Sequence, residues 1–161
     1  MKQTITLTLL ILISGMTNWI PSAQAEGLPE ITDFTVEAKE SKSKQAPILV
    51  LFMSKSCPYC EQVLEEFLLP MQRRPQYDSK VIFRQVDIGS SRKLTNFNGK
   101  PISQSAFAKA NEVWAVPTVV LFDAEGRVLT KIIGLLTVDF YLAYLDNAID
   151  ESQAKIKAST Q

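Results

Sequence analysis

The chain has 161 residues, with 17 basic and 17 acidic side chains, two cysteines and no histidine. The length predicts a single domain. A charged fraction of 21% without net charge argues against a disordered chain and against a binder of polyanions such as nucleic acid. Without histidine the chain itself cannot build a Ser-His-Asp triad, a Cys-His pair or a histidine-ligated metal centre. Its chemistry is therefore that of carboxylates, lysines and the cysteines Cys57 and Cys60.

The first 25 residues have the layout of a secretory signal peptide. A short basic start precedes the apolar run of residues 5–13, and the small-residue triplet AQA at residues 23–25 suits a signal peptidase. The run is shorter than the ~20 residues of a membrane span. We therefore expect residues 1–25 to be removed on export, with a bacterial periplasm as the destination. The alternative is an uncleaved signal that anchors the protein in the inner membrane.

The remaining chain alternates between helical and strand patterns. Helices are predicted over residues 31–44, over 58–69, from a cap at Ser103 through Val113 and from a cap at Thr137 through Ile149, and strands over 48–53, 81–88, 118–123 and 128–133. Residues 48–53 (ILVLFM) are apolar throughout, as in a strand buried on both faces. We expect Pro70 to end the second helix and the polar stretch 89–102 to be a loop.

This order predicts an α/β fold. The short connection at residues 124–127 makes the last two strands an antiparallel hairpin. The sequence α-β-α-β-α-β-β-α then gives a central mixed sheet of about four strands with helices on both faces. The apolar side of the last helix is expected to comprise Phe140, Leu142, Tyr144, Leu145 and Ile149. We assign residues 26–150 to one domain and residues 151–161 to a flexible polar tail.

The sequence Cys57-Pro58-Tyr59-Cys60 follows a buried strand and opens a helix. Two cysteines at C-x-x-C spacing in that position are a redox signature. Free N–H groups and the dipole at a helix N-terminus favour a thiolate, so we expect the pKa of Cys57 to lie below the free value of about 8.5. Cys57 is then the exposed nucleophile, and Cys60, one turn later and deeper, is the resolving thiol.

Two simpler interpretations of the cysteine pair are less well supported. Half of a zinc site would need two further ligands, and the chain has neither histidine nor a second cysteine pair. A purely structural disulfide would close a loop of only four residues, which constrains an unfolded chain little. We expect no metal and no cofactor beyond a redox-active Cys57–Cys60 disulfide.

Together with Val116-Pro117-Thr118 ahead of a strand, these residues resemble the thioredoxin superfamily over about residues 44–148. In that family the proline matching Pro117 is cis and lies beside the reactive cysteine, and the residue before it pairs with substrate backbone. The resemblance therefore implies a thioredoxin fold and a substrate groove. Its predicted members are Val116, Pro117, Pro58, Tyr59 and Trp114. For Trp114 ordinary core packing is the alternative.

These residues combine features of several branches of the superfamily. Cys-Pro-Tyr-Cys is also the glutaredoxin motif, but the Gly-Gly turn for glutathione is absent, and residues 123–127 instead resemble thioredoxins. The signal peptide and residues 89–102 resemble exported thioredoxin-like proteins of the SoxW type. Cytoplasmic thioredoxins have a buried Asp and a Lys where this chain has Leu51 and Phe83. The usual proton acceptor for Cys60 is therefore missing.

The resemblance implies a periplasmic thiol-disulfide oxidoreductase that reduces disulfides in client proteins through Cys57 and Cys60. Its partners would be cysteine-containing periplasmic clients and a DsbD/CcdA-like membrane electron donor, with no nucleic acid, and a monomer is expected. One alternative is a disulfide donor or isomerase of the Dsb type. The other is a thioredoxin-fold binding module without catalysis.

Overall fold

The computed structural model describes residues 27–159. The predicted signal peptide at residues 1–25 lies outside the described residues. In chain order the elements are α1 (Phe34–Lys44), β1 (Ile48–Met53), α2 (Pro58–Gln62), a π-helical segment (Val63–Leu68), α3 (Leu69–Gln72), a 3-10 turn (Pro75–Tyr77), β2 (Ile82–Asp87), β3 (Lys93–Thr95), β4 (Pro101–Ser103), α4 (Gln104–Ala110), β5 (Thr118–Phe122), β6 (Val128–Ile133) and α5 (Val138–Ser159). Over this span, none of the helices combines the length and apolar character that crossing a bilayer requires.

Four strands form a mixed sheet in the order β2-β1-β5-β6. β1 runs parallel to β2 and antiparallel to β5, and β6 returns antiparallel to β5 at one edge. The side chains of β1 are buried from Ile48 to Phe52, because helices cover both faces of this strand. The predicted α/β architecture with its four-stranded mixed sheet is confirmed.

Alternation along β1 assigns its side chains to two cores. Leu49 and Leu51 face a core formed with the π-helical segment and α5. Val50 and Phe52 face a second core formed with α1 and α4. The sheet thus separates two apolar clusters. The redox motif comes shortly after β1, one of its two central strands, in the chain.

The segment before α1 is extended, not helical. Ile31 donates its N–H to the carbonyl of Gln85 at 3.2 Å, and Gln85 donates to the carbonyl of Pro29 at 3.0 Å. This segment therefore covers the outer edge of β2, and Asp33 caps the helix that follows. The prediction of a helix over residues 31–44 is wrong by three residues at its start, because the sheet uses those backbone groups.

The prediction that residues 89–102 form a loop is also corrected. β3 and β4 pair antiparallel as a short hairpin. Beside its turn, the ring of Phe97 stacks on Phe34 with 4.4 Å between centroids. Gly126 makes room for this ring, since a Cβ there would lie 2.6 Å from it. The insertion is thus packed against the second core.

Pro70 does not end the second helix. The N–H of Leu69 donates to the carbonyl of Leu64, five residues earlier, which is the π-helical pattern. The helix continues through Pro70 to Gln72. A proline removes one hydrogen bond from a helix, and the wider π turn accommodates its ring.

Helix α4 has the predicted cap but a different end. Ser103 Oγ accepts the N–H of Ala106 at 3.1 Å, as expected of an N-cap. The helix ends at Ala110, three residues before the predicted Val113. Glu112 has a positive φ of 56°, which is incompatible with a continuing right-handed helix.

The last helix does not give way to a frayed tail after Ile149. α5 continues to Ser159, so the assignment of residues 151–161 to a flexible tail is wrong over the described part. Buried Ser152 lies within hydrogen-bonding distance of Thr130 on β6, 3.2 Å between the two hydroxyl oxygens. Tertiary contact with the sheet edge therefore holds polar residues in the helix.

The buried face of α5 also differs from the predicted one. Tyr141, Leu145 and Ile149 are buried, whereas Phe140 and Tyr144 are exposed. The inward stripe therefore lies about one residue away from the expected face. This rotation leaves two aromatic side chains on the outside of the helix.

Candidate active site

Cys57 lies in the turn that connects β1 to α2. Its N–H donates to the carbonyl of Ser54 at 3.2 Å, which closes the turn. Cys57 is the N-cap of α2, and its Sγ accepts the N–H of Cys60 at 3.2 Å. Pro58 occupies the first helical position, where the missing N–H has no helical partner to lose. The sequence thus places the first sulfur where free N–H groups favour negative charge.

The two cysteines form a disulfide with 5.2 Å between their Cα atoms. They differ in access to solvent: Cys57 is partly exposed, whereas Cys60 is fully buried. This is the expected difference in depth between an attacking and a resolving sulfur.

A cis-proline loop lies beside the disulfide. The Val116–Pro117 peptide bond is cis, as the family resemblance implied. The Sγ of Cys57 is 3.9 Å from the carbonyl oxygen of Val116. The loop is closed below by the Thr118 hydroxyl, which donates to the carbonyl of Ala115 at 2.8 Å. The structure therefore brings three predicted site residues, Cys57, Val116 and Pro117, together.

The predicted aromatic members of the groove are strongly exposed. Tyr59 is 65% exposed and Trp114 is 71% exposed. Core packing is therefore the wrong interpretation of Trp114. Pro58 is exposed as well, whereas Pro117, within the cis-proline loop, is buried. Contact of Tyr59, Trp114 and Pro58 with a substrate stays a prediction.

Leu51 replaces the expected buried carboxylate, and it is completely buried. It lies opposite Gln85 on β2 and Val119 on β5, within the first core. The same core contains the phenol of Tyr141, whose hydroxyl has no hydrogen-bond partner among the described residues. Burial raises the pKa of Tyr141 to about 12. The hydroxyl therefore stays neutral at physiological pH.

One site residue was missed by sequence reasoning. Gly134 directly follows β6 and donates its N–H to the carbonyl of Pro117 at 2.7 Å. Its φ of +73° is a backbone conformation that favours glycine. Gly134 thus joins the end of β6 to the cis-proline loop. The available signal was a glycine directly after a predicted strand that pairs with the strand following the predicted cis-proline.

The comparison with protein families agrees with this geometry. A model of the thioredoxin-like domain matches residues 34–149. The chain belongs to the thioredoxin-like domain family. No curated protein matches the sequence.

Solved thioredoxins share the fold at low sequence identity. Oxidized mitochondrial thioredoxin 3 from Saccharomyces cerevisiae is 21% identical with a TM-score of 0.50, and the match covers 77% of this chain and 94% of that one. A poplar thioredoxin h is 16% identical with a TM-score of 0.51, covering 73% and 96%. Fasciola hepatica thioredoxin is 16% identical with a TM-score of 0.51, covering 78% and 99%. The predicted thioredoxin fold is confirmed.

The family and the Cys57–Cys60 pair together support thiol-disulfide oxidoreductase activity. A partly exposed cysteine at a helix N-terminus, with a buried cysteine in bonding reach, is an arrangement that suits thiol-disulfide exchange.

Proposed function

We propose that this protein is an exported thiol-disulfide oxidoreductase that reduces disulfides in client proteins of the periplasm. The observation that supports this proposal most is the position of Cys57. Cys57 is partly exposed, and its sulfur accepts an N–H at the start of α2 and lies 3.9 Å from the carbonyl oxygen of Val116. That carbonyl is where a client backbone would dock as its disulfide approaches.

The reaction starts from the dithiol. The Cys57 thiolate attacks one sulfur of the client disulfide and forms a mixed disulfide, and the other client sulfur leaves as a thiolate. Cys60 then loses its proton and attacks the Cys57 sulfur. The mixed disulfide breaks, and the second client thiolate leaves. Two electrons have passed to the client, its two thiolates take up protons, and Cys57–Cys60 is oxidised.

Catalysis is tested by insulin reduction with dithiothreitol as electron donor. The wild type should precipitate the insulin B chain much faster than Cys57→Ser. A matched control is Ser56→Ala, which changes a neighbouring hydroxyl in the same turn and leaves both sulfurs in place. A wild type no faster than Cys57→Ser would instead favour the binding module without catalysis.

The direction of electron flow is tested by the reduction potential of the Cys57–Cys60 couple. A reductase should have a potential near that of thioredoxin, about −270 mV. A value near the −120 mV of a strong oxidant would favour the disulfide donor or isomerase of the Dsb type. With a reducing value, a DsbD/CcdA-like membrane protein is the proposed source of electrons.

The periplasmic location is proposed from residues 1–25 alone. Fractionation of cells that make the full chain, with N-terminal sequencing of the product, tests it. A periplasmic product that starts at Glu26 supports both export and cleavage. A membrane-bound product that retains Met1 would support the anchored alternative. Sedimentation of the same product tests the proposed monomer. A periplasmic product would also agree with the proposed membership of the SoxW-type group.

A further inference from the structure

β6 leaves part of its backbone unpaired at the edge of the sheet. Among the described strands it pairs with β5 alone, with Ile133 opposite Thr118 and Ile132 opposite Val119. The Gly134 N–H bonds to the Pro117 carbonyl, so Ile133–Thr118 is a pair without mutual hydrogen bonds. By this alternation Ile132 directs its N–H and C=O toward β5, whereas Lys131 and Ile133 direct theirs outward.

A groove of about 780 Å³ runs between this edge and α5. The strand side includes Ile132 and Ile133, and the helix side includes Tyr144 and Ala148, with Leu136 from the connecting loop. Leu136 is 75% exposed, and Ile133 and Tyr144 are also exposed. An apolar groove beside unpaired strand backbone suits an extended peptide. The peptide backbone can hydrogen-bond to the strand while its apolar side chains fill the groove.

The charges of the groove are asymmetric. The Lys131 ammonium donates to the carbonyl of Asn111 at 2.9 Å and is therefore already engaged. Glu151 lines the groove on α5, next to the Ser152 that meets Thr130. Within residues 27–159 no cation pairs with Glu151. An occupant with a basic side chain at this end would complement the groove.

Backbone contacts connect the redox site to the edge of β6. The Sγ of Cys57 is 3.9 Å from the Val116 carbonyl oxygen, and the carbonyl of the next residue, Pro117, accepts the N–H of Gly134. Gly134 in turn follows Ile133, the last residue of β6. A chain that docks at Val116 and crosses Gly134 therefore reaches the edge of β6 directly.

We propose that this groove binds an extended segment of the client polypeptide near its reacting cysteine. The segment adds to β6 as a short strand through Lys131 and Ile133. Its apolar side chains contact Leu136, Tyr144 and Ala148, and a basic side chain pairs with Glu151. The assignment of the occupant as a client rests on the proposed function. Binding in this groove gives the protein a preference for unfolded, apolar chains with a basic residue a few positions from the cysteine.

The added strand is short. Leu129, at the irregular end of β6, has its carbonyl occupied by the Lys155 ammonium at 3.1 Å. Only the outward groups between Lys131 and Ile133 remain for a partner. The predicted recognition element is therefore a few residues long and not a whole hairpin.

Binding is tested without redox chemistry, on the oxidised protein labelled with ¹⁵N. The probes are three capped hexapeptides without cysteine: VTVTVK, VTVTVE and GSGSGK. We expect VTVTVK to shift the amide signals of Lys131 and Ile133 and to bind about tenfold more tightly than VTVTVE or GSGSGK, a difference of about 1.4 kcal/mol. Tyr144→Ser should weaken VTVTVK binding by a similar factor. Val36→Ser, the same kind of change at an exposed apolar residue of α1, is the matched control and should change nothing.

Reversing the charge at residue 151 tests the proposed pairing of Glu151 with a basic side chain. Glu151→Lys should bind VTVTVE better than VTVTVK, which a variant that merely fails to fold would not do. Unchanged amide signals at β6 with every peptide, or the same preference in Glu151→Lys as in wild type, would overturn the proposal. Peptide binding by a protein that fails to reduce insulin would refute the proposed function and leave the groove assignment standing.

Discussion

The Sγ of Cys57 and the carbonyl oxygen of Val116 are 3.9 Å apart, although 59 positions separate the two residues in the chain. Cys57 follows the end of β1 and Val116 precedes the start of β5, and these two ends are adjacent because the strands are antiparallel neighbours in the sheet. A client that bonded to the Val116 backbone, as proposed, would therefore have its own sulfur within reach of Cys57. The reacting geometry depends on strand pairing and is not a property of the motif alone.

Cys60→Ser should trap clients on Cys57. Without the second thiol, the mixed disulfide has no internal nucleophile to break it, so it accumulates. Non-reducing electrophoresis of periplasmic extracts, followed by mass spectrometry, should show adducts that dithiothreitol removes. The double variant Cys57→Ser/Cys60→Ser is the control and should show none. Equal adduct formation by both variants would refute a nucleophilic Cys57.

Tyr141→Phe should stabilise the fold. The buried Tyr141 hydroxyl has no partner among the described residues, so its removal relieves a desolvation cost of about 1 kcal/mol. Tyr77→Phe is the matched control, because the Tyr77 hydroxyl donates to Asp146 at 2.6 Å and its loss should destabilise by about 1 kcal/mol. Urea denaturation measures both free energies of unfolding. A destabilised Tyr141→Phe would mean that the hydroxyl has a partner, such as a buried water.

Asp33→Ala should lower stability in a pH-dependent way. The hydroxyl and then the N–H of Thr35, which both donate to Asp33, hold the pKa of this carboxyl below its usual value of 3.8. The charged cap is therefore favoured in the folded state, and its contribution is present above that value and lost as the pH falls through the lowered pKa. The difference in Tm between wild type and Asp33→Ala should be largest near pH 7 and should narrow below pH 3.8. A constant difference across this range would contradict the charged cap.

Phe97→Ala should destabilise the protein without slowing thiol exchange. Phe97 stacks on Phe34 and also lies near Phe122, with centroids 5.5 Å apart, so its removal leaves a cavity beside the second core. We expect a loss of about 3 kcal/mol by urea denaturation. Asn98→Ala, at the exposed turn next to it, should cost far less. A large drop in the rate of insulin reduction with little loss of stability would instead make the insertion a lid over the site.

The central part of the fold was predictable because burial there is expressed in local sequence. β1 is buried from Ile48 to Phe52 and β5 along its whole length, so both appear as apolar runs, apart from Thr118 at the start of β5. The cysteine pair is likewise local, since one helical turn brings Cys57 and Cys60 together. The cis-proline loop followed from the family resemblance, which rested on short motifs in the right order along the chain.

The remaining elements depend on tertiary contacts that local patterns do not show. β3 and β4 have only three residues each, too few for a periodic signal. The C-terminal part of α5 appeared to be a polar tail, because its buried position is the small polar Ser152. Tyr144 was expected inside the protein, but the actual inward stripe of the helix leaves it exposed beside β6. The cysteine motif therefore gives no indication of the proposed client groove.

The hydrogen bond from the Lys155 ammonium to the Leu129 carbonyl affects how readily the protein aggregates at high concentration. An exposed edge strand invites neighbouring molecules to stack edge to edge, and a charged lysine at the edge discourages such growth. With the Leu129 carbonyl occupied in this way, β6 has fewer free backbone groups for pairing with another copy, which disfavours edge-to-edge aggregation.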